Sequence, residues 1–244
     1  MTPITSLEEI KNLGTILSVW AHPDDESFVA AGLLAAAVKN GQKVICITAT
    51  KGEKGVQDET RWPASQLADI RTRELEASLK ELGITQHFWL DYKDGECNTV
   101  PDAEAVQQLN VFAEKYQPDS ILTFGPDGLT GHPDHQTINH WVQLLVAGLA
   151  QKPNVYHPVY TPDQYEQFLK PLDEKLDMFF NIDKPPLATK SDCAIALTLP
   201  DELLTQKWRA LAAQESQMER LLALIPTEAK AGVFGQEYFI QAHY

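Results

Sequence analysis

Twice in this chain an apolar run ends in an acidic, histidine-bearing turn and passes at once into a helical pattern. The first run, 16–21, leads through His22-Pro23-Asp24-Asp25-Glu26 into a helix over 27–39, closed by Gly41. The second, 120–124, leads through His132-Pro133-Asp134-His135 into a helix over about 134–149. A buried strand that feeds a helix through a short turn is half of a βα unit. In an open α/β sheet such turns, at the carboxyl ends of the strands, line the ligand crevice. Both histidine strings are therefore expected in one crevice.

Between and around them the alternation continues, with strands at 43–49 and 87–90 and helices at 65–82 and 102–116. In 64–82, Leu67, Ile70, Leu75, Leu79 and Leu82 recur at amphipathic spacing. The pattern predicts an α/β fold, Rossmann-like, with a mostly parallel sheet and helices on both faces. Eight of the fifteen prolines lie beyond Gln151, so an irregular segment is expected at about 151–190. A strand at 193–199 and a helix at 201–224 then resume the core. With 244 residues, 43% of them hydrophobic, one domain over 1–244 is expected.

Composition narrows the function. The net charge of −14, with no dense Lys/Arg cluster, excludes nucleic acid as a partner. No stretch approaches the ~20 apolar residues of a membrane span. Residues 1–14 carry Glu8 and Glu9 and lack the pattern of a signal peptide, which predicts a cytoplasmic protein. Cys46, Cys97 and Cys193 are odd in number and far apart, against a disulfide framework or a cysteine zinc site. A dinucleotide is also excluded: no G-x-G-x-x-G is present, and Asp24, Asp25 and Glu26 would repel a pyrophosphate.

The residue types in the two strings suit a water-splitting metal site. Catalytic zinc takes imidazoles and carboxylates from the protein and keeps one position for water, whose pKa falls to about 7. His22, Asp25 and His135 supply such a His2Asp set, for one zinc ion or another divalent metal in its place. Spacing alone does not say which of Asp24 and Asp25 ligates and which handles a proton. Taken singly, an aspartate here suits a helix cap, and the histidines suit a surface turn. Their joint occurrence, each directly after an apolar strand, favours the shared metal.

The strings AHPDDE (21–26) and GHPDH (131–135), with the loop Thr50-x-Gly52-Glu53-x-Gly55, resemble the LmbE-like, or PIG-L-type, zinc-dependent N-deacetylases. Arg71-x-x-Glu74-Leu75, Gly125-Pro126-Asp127-Gly128, Lys207-x-x-Ala210 and Ser216-Gln217 extend the resemblance over most of the chain. It implies zinc on His22, Asp25 and His135, Asp24 as general base, and His132 as electrostatic partner of the oxyanion. Asp134 is expected to hold the His132 ring and raise its pKa. Arg71 is expected either to face the substrate or to pair with Glu74 on the helix surface. Glu53, Asp127, Trp62, Trp89 and Glu26 are lesser candidates, each with an ordinary structural role as its alternative.

One departure is visible: where many members read Ala-His-x-Ser-Gln, this chain reads Ala213-Gln214-Glu215-Ser216-Gln217. The implied reaction is removal of acetyl from a soluble N-acetylglucosamine-type amide, a small N-acylated amino sugar or conjugate. The alternatives are an amidase that removes a larger acyl group from a thiol-sugar conjugate, and a zinc-binding regulatory protein without turnover. A membrane inositol phospholipid is disfavoured, because no apolar span or basic segment is present. The oligomeric state, a homo-oligomer included, is left open.

Overall fold

The computed structural model of the chain describes residues 3–179 and 181–244. Among these, seven strands form one sheet: β1 (Ile16–Trp20), β2 (Val44–Thr50), β3 (Gln86–Tyr92), β4 (Ser120–Leu122), β5 (Asn154–Val159), β6 (Ile195–Thr198) and β7 (Gln236–Ala242). Their order is β3-β2-β1-β4-β5-β7-β6. The first five run parallel, and β7 is antiparallel to both β5 and β6. The helices are α1 (Asp25–Val29), α2 (Ala31–Lys39), α3 (Ala64–Leu82), α4 (Asp102–Tyr116), α5 (Pro133–Gly148), α6 (Pro162–Gln164), α7 (Lys170–Leu176), α8 (Asp201–Ala212), α9 (Glu215–Ala223) and α10 (Lys230–Phe234). The expected mostly parallel α/β sheet is what the chain forms. No helix of the described residues is long and apolar enough to cross a membrane.

Strand β1 lies in the middle, with Ile16 beside Val44 of β2 and Ser120 of β4. Every residue of β1 and β2 is buried, as parallel strands covered on both faces require. The chain builds outward from β1 through β2 to β3 and then crosses back to β4. At such a reversal the helices leave the sheet on opposite sides and a crevice opens. The turns after β1 and β4, which carry the two histidine strings, flank it.

Several boundaries differ from the periodicity. The helix expected over 27–39 breaks at Ala30 (φ −132°, ψ 3°) into α1 and α2. The one expected over 201–224 breaks at Ala213 and Gln214 into α8 and α9. The segment 151–190 contains β5, α6, a π turn at Tyr165–Leu169 and α7, because three of its prolines sit where regular structure tolerates them: Pro158 within β5, and Pro162 and Pro171 in the first turns of α6 and α7. Strand β7 was not anticipated; it makes the sheet mixed.

That strand carries an anchor for α2, a small-residue helix buried against α8, α3 and β2. Ala30 cannot cap α2, and the N–H groups of Gly32 and Leu33 instead donate to the two carboxylate oxygens of Glu237, each at 2.8 Å. Lys207 Nζ of α8 donates to the same carboxylate at 2.7 Å, and both side chains are inaccessible to solvent. Lys207→Ala strands a buried carboxylate and is expected to cost about 3–5 kcal/mol. At this chain length that lowers Tm by on the order of 10 °C in a thermal melt. Lys207→Met, which keeps the volume of the stem, should cost no more than Lys207→Ala.

Candidate metal centre

The ring of His135 lies flat on Phe124, 3.9 Å between centroids and 5° between planes. Its Nδ1 is 2.8 Å from the Gly128 carbonyl, which can only accept, so the proton sits on Nδ1 and Nε2 presents a lone pair. The Gly125-Pro126-Asp127-Gly128 turn delivers that carbonyl. His22 is held in the opposite sense. Its Nε2 faces Asp94 Oδ1 at 3.1 Å and Asp134 Oδ2 at 3.3 Å, so Nε2 carries a proton and Nδ1 points away. Carboxylate or carbonyl partners on the outer nitrogens are the usual way to aim imidazoles at a metal.

The inner nitrogens then meet. His22 Nδ1 and His135 Nε2 are 3.1 Å apart. Asp25 Oδ1 lies 3.4 Å from His135 Nε2, and Asp25 Oδ2 lies 3.8 Å from His22 Nδ1. Oδ2 also accepts the His22 backbone N–H at 2.8 Å, which fixes the carboxylate. Two lone pairs and a carboxylate at such distances repel unless a cation lies among them. A tetrahedral zinc with bonds of about 2.0–2.1 Å separates its ligands by roughly 3.3 Å, so the donor set fits. His132 also brings a nitrogen within 4.8 Å of the nitrogens of His22 and His135.

Asp24 borders this cluster with its backbone at φ 111°, a region that L residues seldom occupy. Arg71 holds it there. The guanidinium donates to the Pro23 carbonyl, to Asp24 Oδ2 at 2.9 Å and to the Gly52 carbonyl at 2.8 Å. At Gly52, φ is 63° and any side chain would run into that guanidinium. Both expectations for Arg71 are corrected. It is buried and bound to backbone and Asp24 rather than facing a substrate, and Glu74 instead accepts from Ser216 N and Oγ. Its position midway between Leu67 and Leu75 on the buried stripe of α3 is the sequence signal for this.

Asp134 meets its expectation in part: its charge acts to raise the His132 pKa, but its carboxylate is spent elsewhere. Its carboxylate is fully buried and accepts from Gly95 N at 2.7 Å and Cys97 N at 3.2 Å, besides facing His22. Only its backbone N–H reaches His132, donating to Nδ1 at 3.1 Å. That contact leaves Nε2 of a neutral His132 as its N–H donor. Asp94 was missed altogether, although Asp94-Gly95 directly after β3 is the same kind of strand-end turn as the other two. Its Oδ2 accepts from Lys54 N, and Glu53 Oε1 accepts from Asp94 N. Asp127 pins its own turn by accepting from Leu129 N at 2.6 Å. Trp62 lies beneath Arg61 and Trp89 against His87. Gln214 stands one layer behind the metal cluster, donating to Ser27 Oγ at 2.7 Å and Glu26 Oε1 at 3.2 Å.

Residues 17–146 match the PIG-L family, described as GlcNAc-PI de-N-acetylase, and so span more than half of the chain. The chain belongs to the PIG-L family. A relative from Corynebacterium diphtheriae, a 1D-myo-inositol 2-acetamido-2-deoxy-alpha-D-glucopyranoside deacetylase, is 30% identical over 89% of this chain and 82% of its own length. One of the same name from Actinosynnema mirum is 29% identical over 83% and 80%. Among solved structures, N,N'-diacetylchitobiose deacetylase from Pyrococcus horikoshii superposes with a TM-score of 0.63 at 23% identity, covering 97% of this chain and 87% of its own. That likeness is one of fold.

Burial and charge set the protonation of this PIG-L centre. Burial opposes a charged His22, but the Asp134 and Asp94 carboxylates push its pKa up to about 10. Burial and the charges of His22 and His132 hold His135 well below the ordinary histidine value. Burial and His22 likewise lower His132. Burial pushes Asp24 up to about 7, against the pull of Arg71. Below pH 10, then, a proton on His22 Nδ1 bridges to His135, and a metal ion must displace it. Zinc binding near pH 7 is expected to release about one proton, with affinity rising up to about tenfold per pH unit. Calorimetry in buffers of different ionisation enthalpy measures this. Asp94→Asn should shift the release to lower pH, because it removes one of the carboxylates that raise His22.

Proposed function

We propose that this chain is a zinc-dependent hydrolase that removes acetyl from N-acetylglucosamine-type amides, with zinc held by His22, Asp25 and His135. The observation that carries the reading is the meeting of the inner nitrogens of two imidazoles and a carboxylate beside the strained Asp24. The deacetylase names of the relatives support it.

Zinc in that place would supply a lowered pKa for water and polarisation of the amide carbonyl. Asp24 takes the proton of the attacking water. Its Oδ2 is engaged by Arg71, which leaves Oδ1 to accept, and a carboxyl raised by burial is a better base than a solvated one. Water adds to the carbonyl carbon, and negative charge moves to the carbonyl oxygen. His132, neutral because its pKa is lowered, donates from Nε2 toward that charge in the manner of an oxyanion hole. The C–N bond breaks, the 2-amine leaves with the proton passed on by Asp24, and acetate remains. His132 thus acts as a hydrogen-bond donor, with Asp24 alone moving the proton. Asp134 and Asp94 act through His22, and Arg71 acts through Asp24.

The purified chain is expected to hold close to one zinc, and His22→Ala and His135→Ala should each lose most of it by elemental analysis. Undiminished zinc in both variants would refute the ligand set. Asp24→Asn should keep its metal while kcat for acetate release falls by ~10²-fold or more. Turnover of N-acetylglucosaminides by that variant at the native rate would remove Asp24 from the mechanism.

A further inference from the structure

A cleft of about 480 Å³ opens from Asp24, Asp25 and His135, large enough for a ligand well beyond one acetamido sugar. Beyond its metal end the walls are apolar: Phe28 and Val29 of α1, Leu129, Leu176, Met178, and Met218 with Leu221 of α9. The chain has three methionines, and the two after Met1, Met178 and Met218, both line this cleft. Flexible thioethers adapt to apolar ligands of varied shape. Leu129 is held there with its backbone at φ 64°, an unfavourable conformation for a large apolar residue.

Polar groups also line the cleft, among them Thr130, Tyr160, Asp177 and Arg220, and some of these groups are tied to neighbours. Gln217 Nε2 donates to Gly55 O at 2.8 Å, and Gln57 Oε1 accepts from Arg220 at 3.3 Å. A polyol packed along the apolar stretch of Phe28, Val29, Met178, Met218 and Leu221 would bury hydroxyls without partners, which weakens binding. Resting on the proposed acetamide hydrolysis, we infer that the substrate carries an apolar alkyl or aryl aglycone, seated against Met178, Met218, Leu221 and Phe28, in place of an inositol. The pyranose takes the polar end beside Asp24, Asp25 and Thr130.

The test uses the zinc-loaded full chain and three glycosides of N-acetylglucosamine, with methyl, hexyl and inositol aglycones. A buried methylene is worth up to about fourfold in binding, so kcat/KM for hexyl should exceed methyl by about tenfold or more. The inositol glycoside should not exceed methyl. Met218→Gln and Met178→Gln should each shrink the hexyl-to-methyl ratio, while Met218→Leu retains it. Equal kcat/KM across the three, with acetate still released, overturns the inference and leaves the deacetylase reading standing. A rise with acyl length on the methyl glycoside, without one on the aglycone, also overturns it, because the wall then seats the acyl group. If no amide turns over, the deacetylase reading fails, and calorimetry with hexyl and methyl glucoside, which carry no amide, still decides. Hexyl binding about tenfold tighter, lost in Met218→Gln, supports the apolar wall; equal affinities refute it.

Discussion

The imidazole of His22 ties the functional end of the sheet together. One nitrogen is gripped by Asp94 from the turn after β3 and by Asp134 at the start of α5, and the other faces His135 across 3.1 Å. Three strand-end turns are thereby fixed to one ring. The grip also has an electrostatic consequence. Carboxylates on the outer nitrogen favour positive charge on the ring, and the inner nitrogen delivers that charge, as a proton or by ligating a metal, to the one place where His135 and Asp25 require it.

Around that ring, strain is concentrated at Asp24. A backbone at φ 111° persists only where its surroundings determine it, and Arg71 does so with donors to the carbonyl before it, to its own carboxylate and to Gly52 across the loop. Arg71 is therefore a positioning residue, and its rigid fork suits three separate acceptors where a lysine would offer a point charge. A similar economy appears at Glu237, where one carboxylate satisfies two amides at the start of α2 and the buried Lys207.

Gln214 shows how a departure from the family pattern is absorbed. Its amide donates to Ser27 and Glu26, behind the residues that face the cleft, and burial pushes the Glu26 carboxyl up to about 7. The substitution changes a polar layer under α1 and leaves the cluster of His22, Asp25 and His135 intact.

The βα alternation, the adjacency of the two histidine strings and the meeting of His22, Asp25 and His135 were all legible from the sequence. Each rests on local order: apolar periodicity, turn residues and ligand types only a few residues apart in the chain. The partners of Arg71, Asp94 and Asp134 were not legible, nor was the anchoring role of β7, whose seven residues were passed over. Those depend on which turns face one another across the sheet, and Asp94 reaches His22 from 72 positions away, an encounter that no local spacing encodes. Arg71 is the sharpest case. Its spacing from Leu67 and Leu75 is that of the buried stripe, a signal passed over in the sequence, and only the packing of α3 over the Gly52 loop decided that its charge would serve Asp24. The sequence by itself determined the α/β scaffold and the chemistry offered at its strand ends; the tertiary structure decided how those groups aim, because orientation is set by partners that the chain brings together only on folding.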